Sequence, residues 1–225
     1  MLYRIVTSAL FAGFAAGLIA ALLQLAFVQP HLLHAEMFEG GELVHSVTAG
    51  SSSHGPSYQF DAMRDGLSIL FAALIYTGYA LMMVAGMAFA SEQGHAISTR
   101  SGIIWGLAGF IAVHFAPAIG LPPELPGSSA ADVGARQVWW FGTVGATALA
   151  LWLIAFGRSW MAWGAAVVLL LAPHVIGAPH PDKFHGGVPP ELGGLFGGNA
   201  LGVGMAAWVV LGRLAAHLWN TEGKA

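Results

Sequence analysis

The chain has 225 residues, of which 56% are hydrophobic and only 8% charged, with a net charge of −3. Soluble domains carry roughly a quarter of charged residues, so this chain cannot clothe a water-facing surface and suits the bilayer instead. It has no cysteine, which excludes disulfides, thiolate metal sites and iron–sulfur clusters, and it has no basic excess to suggest nucleic acid.

The first apolar stretch runs over 4–29. Within it, Ile5 to Val28 is uncharged for 24 residues, about 36 Å as a helix. That exceeds a signal-peptide core and predicts a retained spanning helix. A polar segment, 30–65, follows. It carries His31, His34, His45 and His54, and its "GELVHSVTAGSSSHG" stretch reads as linker. The second helix is predicted over 66–90 and the third over 101–120, joined by the short connection 91–100. A long loop, 121–137, leads to the fourth helix, 138–157. After the turn Gly157-Arg158-Ser159 comes a short fifth, 160–177, near the lower limit for spanning. Loop 178–193 precedes the sixth, 194–218. The fold expected is an all-α polytopic membrane bundle of about six transmembrane helices, forming a single integral membrane domain over 1–225.

Six crossings place both termini on one side. Arg4, Arg100, Arg158, Arg213 and Lys224 flank the short connections and the termini, whereas Arg64, Arg136 and Lys183 lie on the long loops. The positive-inside rule then favours cytoplasmic termini and long outer loops. Glycines at spacing four (13 and 17, 102 and 106, 198 and 202) predict close helix packing, inside the bundle or against a partner helix or a second copy of the chain.

The helices read as three related hairpins. Each outward helix ends with proline and histidine together: Pro30-His31, His114 with Pro117, and Pro173-His174. Two of them continue to the same tetrapeptide, Pro-Pro-Glu-Leu, at 122–125 and 189–192. The repeat is parallel, with equivalent helices pointing the same way.

The ionisable residues are one-sided. All acids except Glu92 and Glu222, and all histidines except His95 and His217, fall on or beside the long loops. Imidazole is a preferred ligand of divalent transition metals and carboxylates add oxygen and charge. An acidic vestibule also concentrates a cation before it binds. His31 and His34, at spacing three, share a face if a helix continues past Pro30. His114 and His174 occupy equivalent points of the repeat. The candidate ligands are therefore His31, His34, His114 and His174, with Glu124 and Glu191 as oxygen donors and His180 and His185 as a capture site on the last loop. Taken singly, a helix-end histidine more often bonds a carbonyl or faces headgroups, and Pro-Pro-Glu-Leu equally suits a structural corner.

No acid or base lies at mid-membrane; Gln24, Tyr76, Thr77, Tyr79, Thr143, Thr147 and Asn199 are the main polar groups there. No phosphate-binding loop of the GxxxxGK[ST] type exists, so the chain reads as a transport subunit rather than an enzyme or a nucleotide-driven pump. The competing readings are a vitamin-type small-molecule binder using Trp139, Trp140 and Tyr58, a haem-holding redox subunit with His114 and His174 as axial ligands, and a subunit without any site.

The opening "MLYRIVTSALFAGFAAGLIAALLQ", then "QPHLLHAE", "HFAPAIGLPPELPG", "ARQVWW" and "GAPHP…VPPEL" together resemble the CbtA family of cobalt transporter subunits. The resemblance covers almost the whole chain, and its most specific parts are the two PPEL-bearing loops. It implies a multi-pass protein of the bacterial inner membrane, with cobalt (or nickel or zinc) as transported substrate and CbtB, a small single-span histidine-bearing protein, as partner. Family members are usually described with five spans, against the six read here.

Overall fold

A computed structural model describes residues 1–43, 58–184 and 186–222. His45 and His54 lie outside them. The described residues form helices and no strand: α1 (Leu2–Phe27), α2 (Gln29–Glu39), α3 (Ala62–Glu92), α4 (Thr99–Phe110), a π-helical segment (Ile111–Phe115), α5 (Ala116–Gly120), α6 (Val133–Phe156), α7 (Trp160–Ile176) and α8 (Pro190–Glu222). Five helical stretches are long and apolar enough to cross a membrane, counting Thr99–Gly120 as one, and α7 is a shorter apolar helix beside them. The chain is a polytopic helical membrane protein.

Helix starts follow local chemistry. Asp61, Asp132 and Ser159 cap α3, α6 and α7 by accepting from the N–H groups of Arg64 (2.7 Å), Ala135 (2.9 Å) and Ala162 (3.2 Å). Pro190 opens α8, where a missing N–H costs nothing. These caps lengthen the helices beyond their apolar stretches: α3 starts at residue 62 rather than 66, α6 at 133 rather than 138, and α8 at 190 rather than 194. The stretch expected as loop after residue 30 is also partly helical. Pro30 sits in the first turn of α2, where proline is tolerated, and Leu32, Ala35 and Phe38 repeat at helical spacing. In the third apolar stretch, Pro117 has no N–H to give the Val113 carbonyl, and the backbone widens into π turns directly before it.

The chain folds as two compact units. The first holds the described parts of 1–28, 58–110 and 202–225, the second those of 29–57 and 111–201. In the first, α1 lies antiparallel to α3 at backbone contact. A Cβ on Gly13 would overlap the Cα of Thr77, and one on Gly17 the Cα of Ala73. Gly102, Gly106 and Gly212 bring α4 against the second part of α8 in the same way. Two of the three glycine pairs read from sequence are thus consumed inside the chain, whereas a Cβ at Gly198 or Gly202 would meet no atom within 4 Å. The Arg4 guanidinium lies 3.7 Å over the Trp219 ring and its Nε donates to the Trp219 carbonyl at 2.8 Å, so the ends of α1 and α8 meet. At the start of α3, Asp65 is fully buried. It accepts from Tyr58 Oη (2.6 Å), the Asp61 N–H (2.9 Å) and Arg64 Nε (2.8 Å). This acid is engaged in capping and its hydrogen bond raises the Tyr58 pKa above 10.0.

In the second unit α6 and α7 are antiparallel. Trp139, early in α6, donates from Nε1 to the carbonyl of Pro173, late in α7, at 3.1 Å, and Trp163 reaches back to the Gly157 carbonyl at 3.3 Å. With 17 residues α7 covers about 25 Å. It nevertheless returns the chain to the level where α6 began, and Gly177, at φ 85°, ends it in a backbone region that favours glycine.

Candidate metal-ion site

The second unit holds every described candidate ligand. Its end is built around the repeated tetrapeptide. Leu125 and Leu192, the last residues of the two Pro-Pro-Glu-Leu copies, meet in one apolar cluster with Ala35 and Phe38 of α2, flanked by Leu32, Val188 and Phe196. A β-bridge between Ser128 and Gly186 ties the two loops together. The prolines stiffen both corners, the leucines lock them onto α2, and the glutamates are left exposed. The tetrapeptide is therefore first a structural corner, and only through its exposed carboxylates a source of donors.

On α2, His31 and His34 are one turn apart. His31 Nε2 lies 3.0 Å from Nδ2 of Asn199, on α8. The same amide nitrogen donates to the Leu195 carbonyl at 3.0 Å, which fixes the amide orientation and makes Nε2 the acceptor. Neutral His31 then carries its proton on Nδ1. His34 is 7% exposed, packs its ring 5.4 Å from that of Phe38, and its Nε2 has no hydrogen-bond partner. Burial, and secondarily the neighbouring His31, push its pKa below 6.5. On unfolding His34 would take up a proton near pH 6.5, which the native state resists, so its contribution to stability is present above that pH and lost below it. His34→Leu is expected to flatten the acid-side fall in melting temperature between about pH 5 and pH 8, measured by thermal unfolding of the purified protein.

His114 is carried by the π segment and faces an open cavity of about 520 Å³. Leu121, Glu124, Arg136, Gln137 and Trp140 also line it. Glu124 accepts from Arg136 at 2.7 Å in an exposed pair, an interaction worth about 1 kcal/mol or less and easily exchanged for another cation. His174 is half-buried in the last turn of α7, edge-on to Trp139 at 6.2 Å. His180 is exposed, 6.3 Å from the Phe184 ring, and Glu191 is exposed in the first turn of α8. His185 lies outside the described residues.

The fold thus sets His31 one turn from His34 on α2, and places His114 and Glu124 on the wall of one cavity. Among the described residues no three His, Asp or Glu side chains gather in one metal-binding group. Sequence reasoning placed Arg136 on a loop and Asn199 among the mid-helix polar groups, without seeing that one neutralises Glu124 and the other holds His31. A lone amide in the apolar, glycine-rich stretch "GGLFGGNALGVG" was the available signal for the second.

No curated protein and no solved structure matches the chain. A family model described as "Probable cobalt transporter subunit (CbtA)" matches residues 2–220, and on that match over nearly its whole length the chain belongs to the CbtA family.

Proposed function

We propose that this chain is the membrane subunit through which cobalt, or a similar divalent ion such as nickel or zinc, enters the cell. It acts as one integral membrane domain of six crossings in the bacterial inner membrane, with cytoplasmic termini. Histidines and acids at the outer surface capture the ion: His180, His185, Glu124 and Glu191 first, then His31, His34, His114 and His174. A small single-span, histidine-bearing subunit of the CbtB kind works beside it, in keeping with a family described as a transporter subunit. The observation that carries this reading is the family match, supported by His114 and Glu124 on the wall of one open cavity. Donors spread along a surface rather than gathered in one cluster suit passage, because a transported ion must be released as readily as it is bound. A divalent cation drawn inward by a potential of 100 mV, inside negative, gains about 4.6 kcal/mol, roughly three decades of accumulation.

Elemental analysis of the purified protein, with and without added cobalt, nickel and zinc, tests it. Bound transition metal that exchanges with added cobalt is expected; a protein that retains none at any concentration contradicts it. One observation favours a second reading. The cavity beside Trp140 and Arg136 is large enough for a small organic molecule, and mass spectrometry of the same preparation would find such a ligand in place of metal.

A further inference from the structure

We propose that Asn199 is a metal ligand, and that with His31 and His34 it forms a three-donor site for the transported ion between α2 and the first part of α8. The inference rests on the reading of the α2 histidines as ligands and adds a donor from another helix.

The geometry starts from the 3.0 Å separation of His31 Nε2 and Asn199 Nδ2. Two ligand atoms each about 2.1 Å from one ion stand about 3.0 Å apart in an octahedral arrangement and about 3.4 Å apart in a tetrahedral one. The hydrogen bond therefore already holds the two side chains at the spacing an ion requires. A half-turn of the carboxamide brings Oδ1 to where Nδ2 stands. The ion then replaces the N–H between the two groups, and the acceptor lone pair of Nε2 becomes its ligand. The amide gives up its bond to Leu195 in that turn, so in the empty site His31 Nε2 and the Asn199 amide rest on other partners.

His34 supplies the independent observation. Its ring nitrogen Nε2 is buried without a hydrogen-bond partner, one turn along the same helix. A buried imidazole nitrogen left unpaired is costly unless something occupies it. His31 and His34 stand three residues apart on α2, a spacing that puts both side chains on one helical face, and an ion shared between them would satisfy that nitrogen. Asn199 lies nine residues, about 14 Å, into α8 from Pro190, in a stretch where a polar side chain is expensive and signals a task. Two imidazoles and one amide oxygen are all neutral. Such a set selects nickel, cobalt and zinc over magnesium and calcium. It also leaves the ion's charge uncompensated, which keeps it exchangeable.

The test uses the full-length protein in detergent. Cobalt affinity is expected to fall about tenfold or more on Asn199→Leu. In the His31→Ala background Asn199→Leu should add no further loss. In the wild-type protein labelled with nitrogen-15, the Asn199 side-chain amide signal should move on titration with zinc in step with His31 Nε2. A wild-type amide signal that stays put overturns the proposal, even if the leucine variant fails to fold. So does an Asn199→Leu protein that folds and binds cobalt normally, or one whose loss simply adds to that of His31→Ala. If these responses appear while transport survives loss of His114 and His174, the path proposed above fails and this site stands. If transport needs His114 and His174 but the amide is unmoved, this site alone fails.

Discussion

Cobalt accumulation by cells carrying His114→Ala together with His174→Ala is expected to fall to the level of cells without the protein, about a hundredfold if both imidazoles contact the ion. Both side chains sit in the last turns of helices that end at the loop-bearing end of the second unit. His114 is held there by the π segment that Pro117 imposes on the backbone. His174 lies beside Trp139, whose indole is edge-on to its ring and donates to the neighbouring Pro173 carbonyl. Neither imidazole is among the fully buried groups of the chain, so alanine leaves no large cavity, and the double variant should reach the membrane in normal amount. The measurement is radioactive cobalt uptake normalised to membrane-inserted protein. Normal uptake in the double variant removes both residues from the path.

A second large effect is expected in the first unit, on folding rather than transport. Gly106→Leu should remove most folded protein. Any Cβ at residue 106 would overlap the carbonyl oxygen of Trp208, which is backbone and cannot swing aside. Helices α4 and α8 must then separate along the line where Gly102 and Gly212 also touch. Overpacking of a tight core costs about 3 kcal/mol at its upper range and occasionally more. In a membrane no hydrophobic effect between helices makes good the lost contact. Gly142→Leu on α6 is the matched control: a Cβ there meets no atom within 4 Å, and the change should cost about 0.5 kcal/mol or less. Size-exclusion profiles of the two detergent-extracted variants decide the matter; equal monodisperse yields would contradict the close approach of α4 and α8.

The two expectations draw on different kinds of information. His114 and His174 were legible as residues of interest because they recur beside proline at the ends of apolar stretches. The glycine pairs were legible as a packing signal. Which of them would be used was not: Gly102 and Gly106 found Gly212, a residue that belongs to none of the pairs, more than a hundred positions along the chain. The helix α2 was half visible. The spacing of His31 and His34 raised it, yet a polar, histidine-bearing segment after Pro30 read more readily as loop. Its apolar face becomes meaningful only when Leu125 and Leu192 are there to cover it.

Composition and periodicity alone determined that this is an all-helical membrane protein, and the sequence sets most of its histidines and acids on or beside the long connections between its apolar stretches. Those properties follow from the bilayer, which demands satisfied backbone and apolar surface residue by residue along each segment. Tertiary structure alone decided which polar groups meet. Glu124 found Arg136, Asp65 was taken up by Tyr58 and Arg64, and His31 was joined to Asn199. Such pairings depend on helix rotation and on backbone approach of a few ångströms, and these are set by side chains far apart in the chain rather than by the segment that carries the donor.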